Sequence, residues 1–163
     1  MGNYLRLDLS ARGLQSRFKQ LPLAQSDRSY HLYGLGRSYS DSCQNHQGCL
    51  ISSELLNHFI GFDREIGLLR VEVGVSLEAI LSVTVASGWF LPVTPGSKFV
   101  TVAGAIANYV HRKNHHLAAS FGDYVAQFEL LRSDGRRLIC SEDENQEYFY
   151  STIDGLGLTG FIT

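Results

Sequence analysis

An α+β fold is predicted on three observations. Strand-like and helix-like segments follow one another without regular βα alternation. Sixteen glycines against three prolines point to many turns and close backbone approaches rather than Pro-rich linkers. A length of 163 residues with 44% hydrophobic content suits one domain with a real core, or one large piece of a longer chain.

The elements are expected in the following order. Residues 1–28 are mixed and mildly basic, an arm or a set of short first elements. Tyr30-His31-Leu32-Tyr33 alternates as a short strand and runs into Gly34-Leu35-Gly36-Arg37-Ser38-Tyr39-Ser40-Asp41. The Ser/Asn/Gly-rich stretch from Ser42 to Gly48 is loop, and Cys49-Leu50-Ile51 resumes a buried strand. Leu68 to Val73 alternates with a β-branched flavour, a strand with one wet face. Ser76 is a good N-cap for a helix over Leu77 to Ala86, and Gly88 sits where a helix ends. Trp89-Phe90-Leu91 is strand-like, and Thr94-Pro95-Gly96-Ser97 is a turn. Thr101 caps a short helix over Val102 to Tyr109, whose small residues allow close approach. Val125 to Leu131 and Arg137 to Cys140, joined through Ser133-Asp134-Gly135, form a hairpin. Ser141 and Glu144 have capping-box spacing and open a helix to about Thr152, closed by Gly155. Gly157 to Thr163 is the entry to another strand.

Composition excludes several function classes. Fourteen basic against sixteen acidic residues give a net charge of −2, which argues against a nucleic-acid binder or a polybasic membrane anchor. The apolar stretch Val75 to Val93 is interrupted by Glu78 and several Ser, Thr and Gly, so no transmembrane segment is expected. Three cysteines, Cys43, Cys49 and Cys140, cannot all pair with one another. With no signal-peptide pattern near Met1, a reducing, cytoplasmic setting is expected.

Gly34-x-Gly36 after a strand invites a dinucleotide-binding reading, but Tyr39 stands where the third glycine belongs and no helix follows. A plain glycine turn remains open, as does a loop whose backbone N–H groups cradle an anion. Cys43-x-x-His46-x-x-Cys49 lacks a fourth zinc ligand, and no metal is expected. His111 and His115 are four apart, yet Arg112 follows the first where a zincin carries Glu. The segment His111 to His116 is either a solvated loop or a packed cationic stretch. Hydrolase elbows, Walker A loops and kinase signatures are absent from the sequence.

Five segments in this order carry a family resemblance: Tyr33-Gly-Leu-Gly-Arg-Ser-Tyr-Ser-Asp41, Pro95-Gly-Ser97 with Thr101-Val-Ala-Gly104, His111-Arg-Lys-Asn-His-His116, Ser120-Phe-Gly122, and Gly157-Leu-Thr-Gly160. From about Leu32 onward the chain resembles the PCMH-type FAD-binding domain of the vanillyl-alcohol oxidase/p-cresol methylhydroxylase superfamily. It is most similar there to decaprenylphosphoryl-β-D-ribose oxidase-like and aldonolactone oxidase-like enzymes.

The resemblance implies two α+β subdomains with FAD between them, with residues 1–28 as an arm and 29–163 as the FAD-binding portion. It implies that Leu32, Tyr33, Gly34, Leu35, Gly36, Arg37, Ser38, Tyr39, Ser40, Asp41 and Ser42 wrap the pyrophosphate. Gly96, Thr101, Val102, Ala103 and Gly104 lie along the cofactor, with the positive end of the short helix toward the phosphates. His111, Arg112, Lys113 and Asn114 approach the flavin, and Ile162 touches the cofactor. Tyr39, His111 and Lys113 face the substrate side. Arg37 stands where covalent members often have His, so noncovalent FAD is implied. The implied activity is oxidation of a CH–OH group of a small sugar, lactone or alcohol by hydride transfer to FAD. The catalytic groups are expected beyond Thr163, the chain being cut before its substrate domain, with self-association through the edge so exposed. Ser40, Ala103 and Arg112 replace family glycines, and the alternative they suggest is a cofactor-free binding or scaffold domain that keeps the fold.

Overall fold

The computed structural model describes residues 13–14, 29–39, 41–111 and 120–163. Strands β1 (Gly13–Leu14), β2 (Tyr30–Tyr33) and β3 (Cys49–Ser52) form a parallel sheet with β3 in the centre. Tyr30 to Tyr33 align with Cys49 to Ser52, and Gly13 and Leu14 align with Ile51 and Ser52 on the other side of β3. Part of the expected arm thus supplies a strand. β4 (Phe59–Asp63) and β5 (Leu68–Val71) make an antiparallel hairpin with an irregularity between Phe59 and Gly61. A third sheet, β7-β6-β8, is antiparallel: β6 (Gln127–Leu131) lies between β7 (Arg137–Ser141) and β8 (Phe161–Ile162). The helices are α1 (Leu77–Thr84), α2 (Val102–Ala107) and α3 (Gln146–Thr152). Mixed strands and helices without βα alternation are what α+β requires.

Local chemistry accounts for most boundaries. Ser76 Oγ accepts the Ala79 N–H at 3.1 Å and starts α1, which passes through a short 3-10 turn to Gly88 at φ 81°. Thr101 Oγ1 accepts the Gly104 N–H at 3.1 Å and starts α2. One buried cluster joins the sheets and helices, from Ile51, Val73, Val75 and Leu77 through Ile106 to Leu130, Phe149 and Phe161. Within it the Phe128 and Phe149 rings stack 5.4 Å apart.

Three expectations differ from the structure. Trp89-Phe90-Leu91 is not a strand. The Trp89 N–H closes the end of α1 on the Thr84 carbonyl, and its indole N–H donates to the Arg64 carbonyl at 2.9 Å. The ring lies on the β4–β5 turn, where a Cβ at Gly67 would come within 2.6 Å of Trp89 Cε3. Strand β4 was not expected, because its Phe59, Ile60 and Phe62 run without apolar–polar alternation. The Ser141–Glu144 pair does not open a helix. Ser141 Oγ accepts from the N–H groups of Asp143 and Glu144 while Ser141 stays in β7, and α3 begins only after Asn145 at φ 48°. The same spacing that caps helices also makes a local turn.

Candidate functional site: a cavity walled by main chain

Four stretches far apart in sequence enclose one cavity of about 610 Å³, within the range of small-molecule and cofactor sites. Strand β2 leads into the first wall, Gly34 to Tyr39, and the Ser53 N–H anchors its start on the Tyr33 carbonyl at 3.0 Å. Two glycines let this wall sit where it does. A Cβ at Gly34 would lie 2.5 Å from Thr101 Oγ1, so the loop presses directly on the cap of α2. Gly36 has φ 63°, and a Cβ there would also collide with the Tyr33 hydroxyl.

That wall offers donors. The backbone N–H groups of Gly34, Leu35, Gly36, Arg37 and Ser38 donate to no described residue. Consecutive N–H groups around a left-handed residue form an anion-binding concavity. No Asp or Glu is among the described residues that line the cavity, while Arg37, His31 and His111 are. The His31 imidazole is held below its ordinary range, chiefly because burial disfavours the charged ring, with a hydrogen bond to the Ser42 backbone opposing this.

The second wall is Pro95 to Ser97 with Val100, Thr101, Ala103 and Gly104. The third is Ala107 to His111, where His111 Nδ1 lies 2.9 Å from the Tyr109 carbonyl oxygen. The fourth is Thr152, Leu156, Gly157 and Gly160 to Ile162. The third and fourth are tied together: the N–H groups of Asp154 and Leu156 donate to the carbonyls of Ile106 and Ala107 at 3.1 and 2.9 Å.

Of the residues singled out in the sequence, Leu32 to Tyr39, Ser42, Gly96, Thr101, Ala103, Gly104, His111 and Ile162 line this cavity. Asp41 and Val102 do not. Ser40, Arg112, Lys113 and Asn114 lie outside the described residues. Tyr39 lines the mouth rather than the interior, with 95% of its surface exposed. The expected role of the α2 N-terminus also changes. Its first donors are used inside the fold: Val102 N–H on the Val75 carbonyl and Ala103 N–H on the Val73 carbonyl, both 3.0 Å, and Gly104 N–H on Thr101 Oγ1. The helix end is plugged into the chain before α1, so these donors of its first turn are spent inside the fold, while those of Gly34 to Ser38 bond to no described residue.

Sequence reasoning missed His31, Ser53, Asn108, Tyr109, Thr152 and Leu156 as lining residues. His31 and Tyr109 had a signal, each standing two residues from a motif residue, Tyr33 or His111. Thr152 and Leu156 had none, since only the packing of the 154–157 turn on α2 brings them in.

Comparison with known proteins identifies the family. A family model described as FAD binding domain matches residues 23–141. Over 130 residues the chain is 42% identical to decaprenylphosphoryl-beta-D-ribose oxidase of Mycolicibacterium smegmatis, covering 79% of this chain and 28% of that protein. It is 27% identical over 119 residues to human Delta(24)-sterol reductase, covering 73% of this chain and 22% of the relative. With mouse L-gulonolactone oxidase the identity is 28% over 141 residues, 85% of this chain and 31% of the relative. The chain thus spans less than a third of the length of each of these relatives.

Proposed function

Because the chain belongs to the FAD-binding domain family, we propose that it is the cofactor-holding part of a flavin-dependent oxidoreductase that oxidises a CH–OH group of a sugar, lactone or alcohol. The observation that carries the reading is the run of main-chain donors from Gly34 to Ser38 that bond to no described residue, in a cavity with no carboxylate among its described lining residues. A pyrophosphate brings two negative charges and many acceptor oxygens, and such a nest meets them without a lysine. The residues present therefore fit the cofactor. Bound flavin supplies a two-electron acceptor for a hydride leaving the substrate carbon.

The chain's own residues have separable tasks in this reading. Gly34 to Ser38 hold the pyrophosphate, Arg37 adds one charge at the rim, and Gly96, Thr101, Ala103 and Gly104 flank the remainder. His111 is assigned to the substrate side with Tyr39 at the mouth, and the resemblance assigns Lys113 the same role. Residues 29–163 are assigned to the FAD-binding unit and 1–28 to its arm. The FAD is held without a covalent bond, since no His stands in the first loop. Groups that hold the sugar against the flavin are assigned to chain of the kind the longer relatives carry outside the matched stretch.

The test is the flavin content of the purified protein. Yellow colour that is fully released into the filtrate after acid denaturation is the expected result. A flavin-free protein that takes up no added FAD would reject the reading in favour of a cofactor-free scaffold. A flavin that stays with the precipitated chain would reject the noncovalent link alone.

A further inference from the structure

Helix α2 ends in a left-handed turn that seats an unusual residue. The Tyr109 N–H reaches the Ile106 carbonyl at 3.4 Å and the Val110 N–H reaches the Ala105 carbonyl at 3.2 Å. That pair of bonds closes helices whose left-handed residue is usually glycine. Here the residue is Tyr109, at φ 45°. A Cβ is penalised in this conformation, and a bulky side chain is a genuine outlier. Burial does not offset the penalty, because 43% of Tyr109 remains exposed.

What the side chain does have is the cavity. Tyr109 lines it next to His111, with the two ring centroids 6.3 Å apart and their planes tilted by 47°. The bond between His111 Nδ1 and the Tyr109 carbonyl fixes the two residues relative to each other. The free donors of Gly34 to Ser38 line the same space. One cavity therefore presents an anion nest and a solvent-accessible aromatic surface, which matches a ligand with phosphates and a flat ring. Backbone strain retained at a ligand site is a recognised pattern.

We propose that Tyr109 is a ligand-contacting residue whose ring stacks on a planar heteroaromatic ring of the bound dinucleotide. This rests on the FAD reading above. A glycine would serve the turn better, so the tyrosine is kept for its ring.

The experiment is FAD titration of the full chain, read by quenching of flavin fluorescence, for wild type, Tyr109→Gly, Tyr109→Asn and Tyr109→Phe. Thermal unfolding of the ligand-free proteins runs beside it. Removing the ring should raise the FAD Kd at least about fivefold, the low end of aromatic–base stacking. The melting temperature of Tyr109→Gly should hold or rise by about 2–4 °C as strain is relieved. Tyr109→Phe should bind within about twofold of wild type, since it keeps the ring. Tyr109→Asn tolerates the left-handed turn and carries the test if the glycine variant folds poorly. Titration with FMN and with ADP identifies the ring: a loss confined to FMN assigns the flavin, and one confined to ADP assigns the adenine. FAD affinity in Tyr109→Gly and Tyr109→Asn within twofold of wild type overturns the inference alone. Failure of wild type to bind FAD overturns the cofactor reading and this inference with it.

Discussion

Gly36 and Arg37 are neighbours in the first loop with opposite demands on the site. Gly36 sits at φ 63° over the Tyr33 hydroxyl, and a left-handed L-residue costs about 1–2 kcal/mol before any collision is counted. Arg37 is exposed at the rim, where the loss of one charge-assisted bond costs about 1.5–3 kcal/mol at most and less in water. Gly36→Val displaces several donors at once, so it should weaken FAD more than Arg37→Ala does. Equal dissociation constants for the two variants would show that the charge, not the main chain, holds the pyrophosphate. His31 supplies a second residue-level prediction. Its folded pKa lies below the ordinary value of 6.5 because burial disfavours the charged ring. Just below 6.5 the unfolded chain therefore binds more protons than the folded one. The stability associated with the neutral ring is present above that value and lost as pH falls through the lowered folded one. Urea midpoints should drop as pH falls below the ordinary value of 6.5, and His31→Gln should flatten that slope. A slope unchanged in the variant assigns the acid sensitivity to other groups.

Helix α2 is the element on which the cavity depends. Its cap Thr101 is 2% exposed, holds the Gly104 N–H, and lies under Gly34. Thr101→Val removes the cap oxygen but keeps the shape, at a cost of about 0.5–2 kcal/mol, and leaves the Gly104 donor without its partner. Chemical unfolding should register this loss, and FAD affinity should fall with it because the first loop rests on the same side chain. A stable variant with intact FAD binding would separate the loop from the helix. This dependence was half legible in the sequence. Thr101 before a run of small residues announced a capped helix, and Gly34-x-Gly36 announced a loop that approaches something closely. That the first donors of the helix are spent inside the fold was not legible. That depends on Val102 and Ala103 donating to Val75 and Val73, and no local pattern encodes a pairing between residues about 30 apart in the chain. Trp89 misled for the same reason. Its β propensity was overridden by one hydrogen bond to Arg64 and a glycine cleared beneath its ring. Caps, hairpin and first loop could be read because each is decided within a few residues.

At the scale of the molecule, the cavity is walled by β2 and its loop, by residues 95–104, by the end of α2, and by residues from Thr152 to Ile162. These walls belong to different sheets. β2 pairs with β3 in the parallel sheet, whereas Phe161 and Ile162 form β8 against β6 in the antiparallel one. A ligand that touches all four walls bridges units joined otherwise through the buried cluster. It binds the folded chain and not the unfolded one, so saturation must raise stability by mass action. At a free FAD concentration of 100 times Kd the gain is about 2.7 kcal/mol, and for a chain of this size each kcal/mol moves the midpoint by about 2–4 °C. The expected shift is therefore about 5–11 °C in a single transition. ADP at the same multiple of its own, weaker Kd should shift the global midpoint equally, because linkage counts only occupancy. The two ligands should differ instead in where amide exchange slows. Both ligands should protect Gly34 to Ser38, while the whole dinucleotide also protects Tyr109 to His111 and the 156–162 wall together, of which ADP protects only the part its adenine reaches. Protection by FAD confined to the first loop would mean that the other three walls enclose something else. The match of the cavity to a complete dinucleotide would then fail even if the loop binds phosphate as argued.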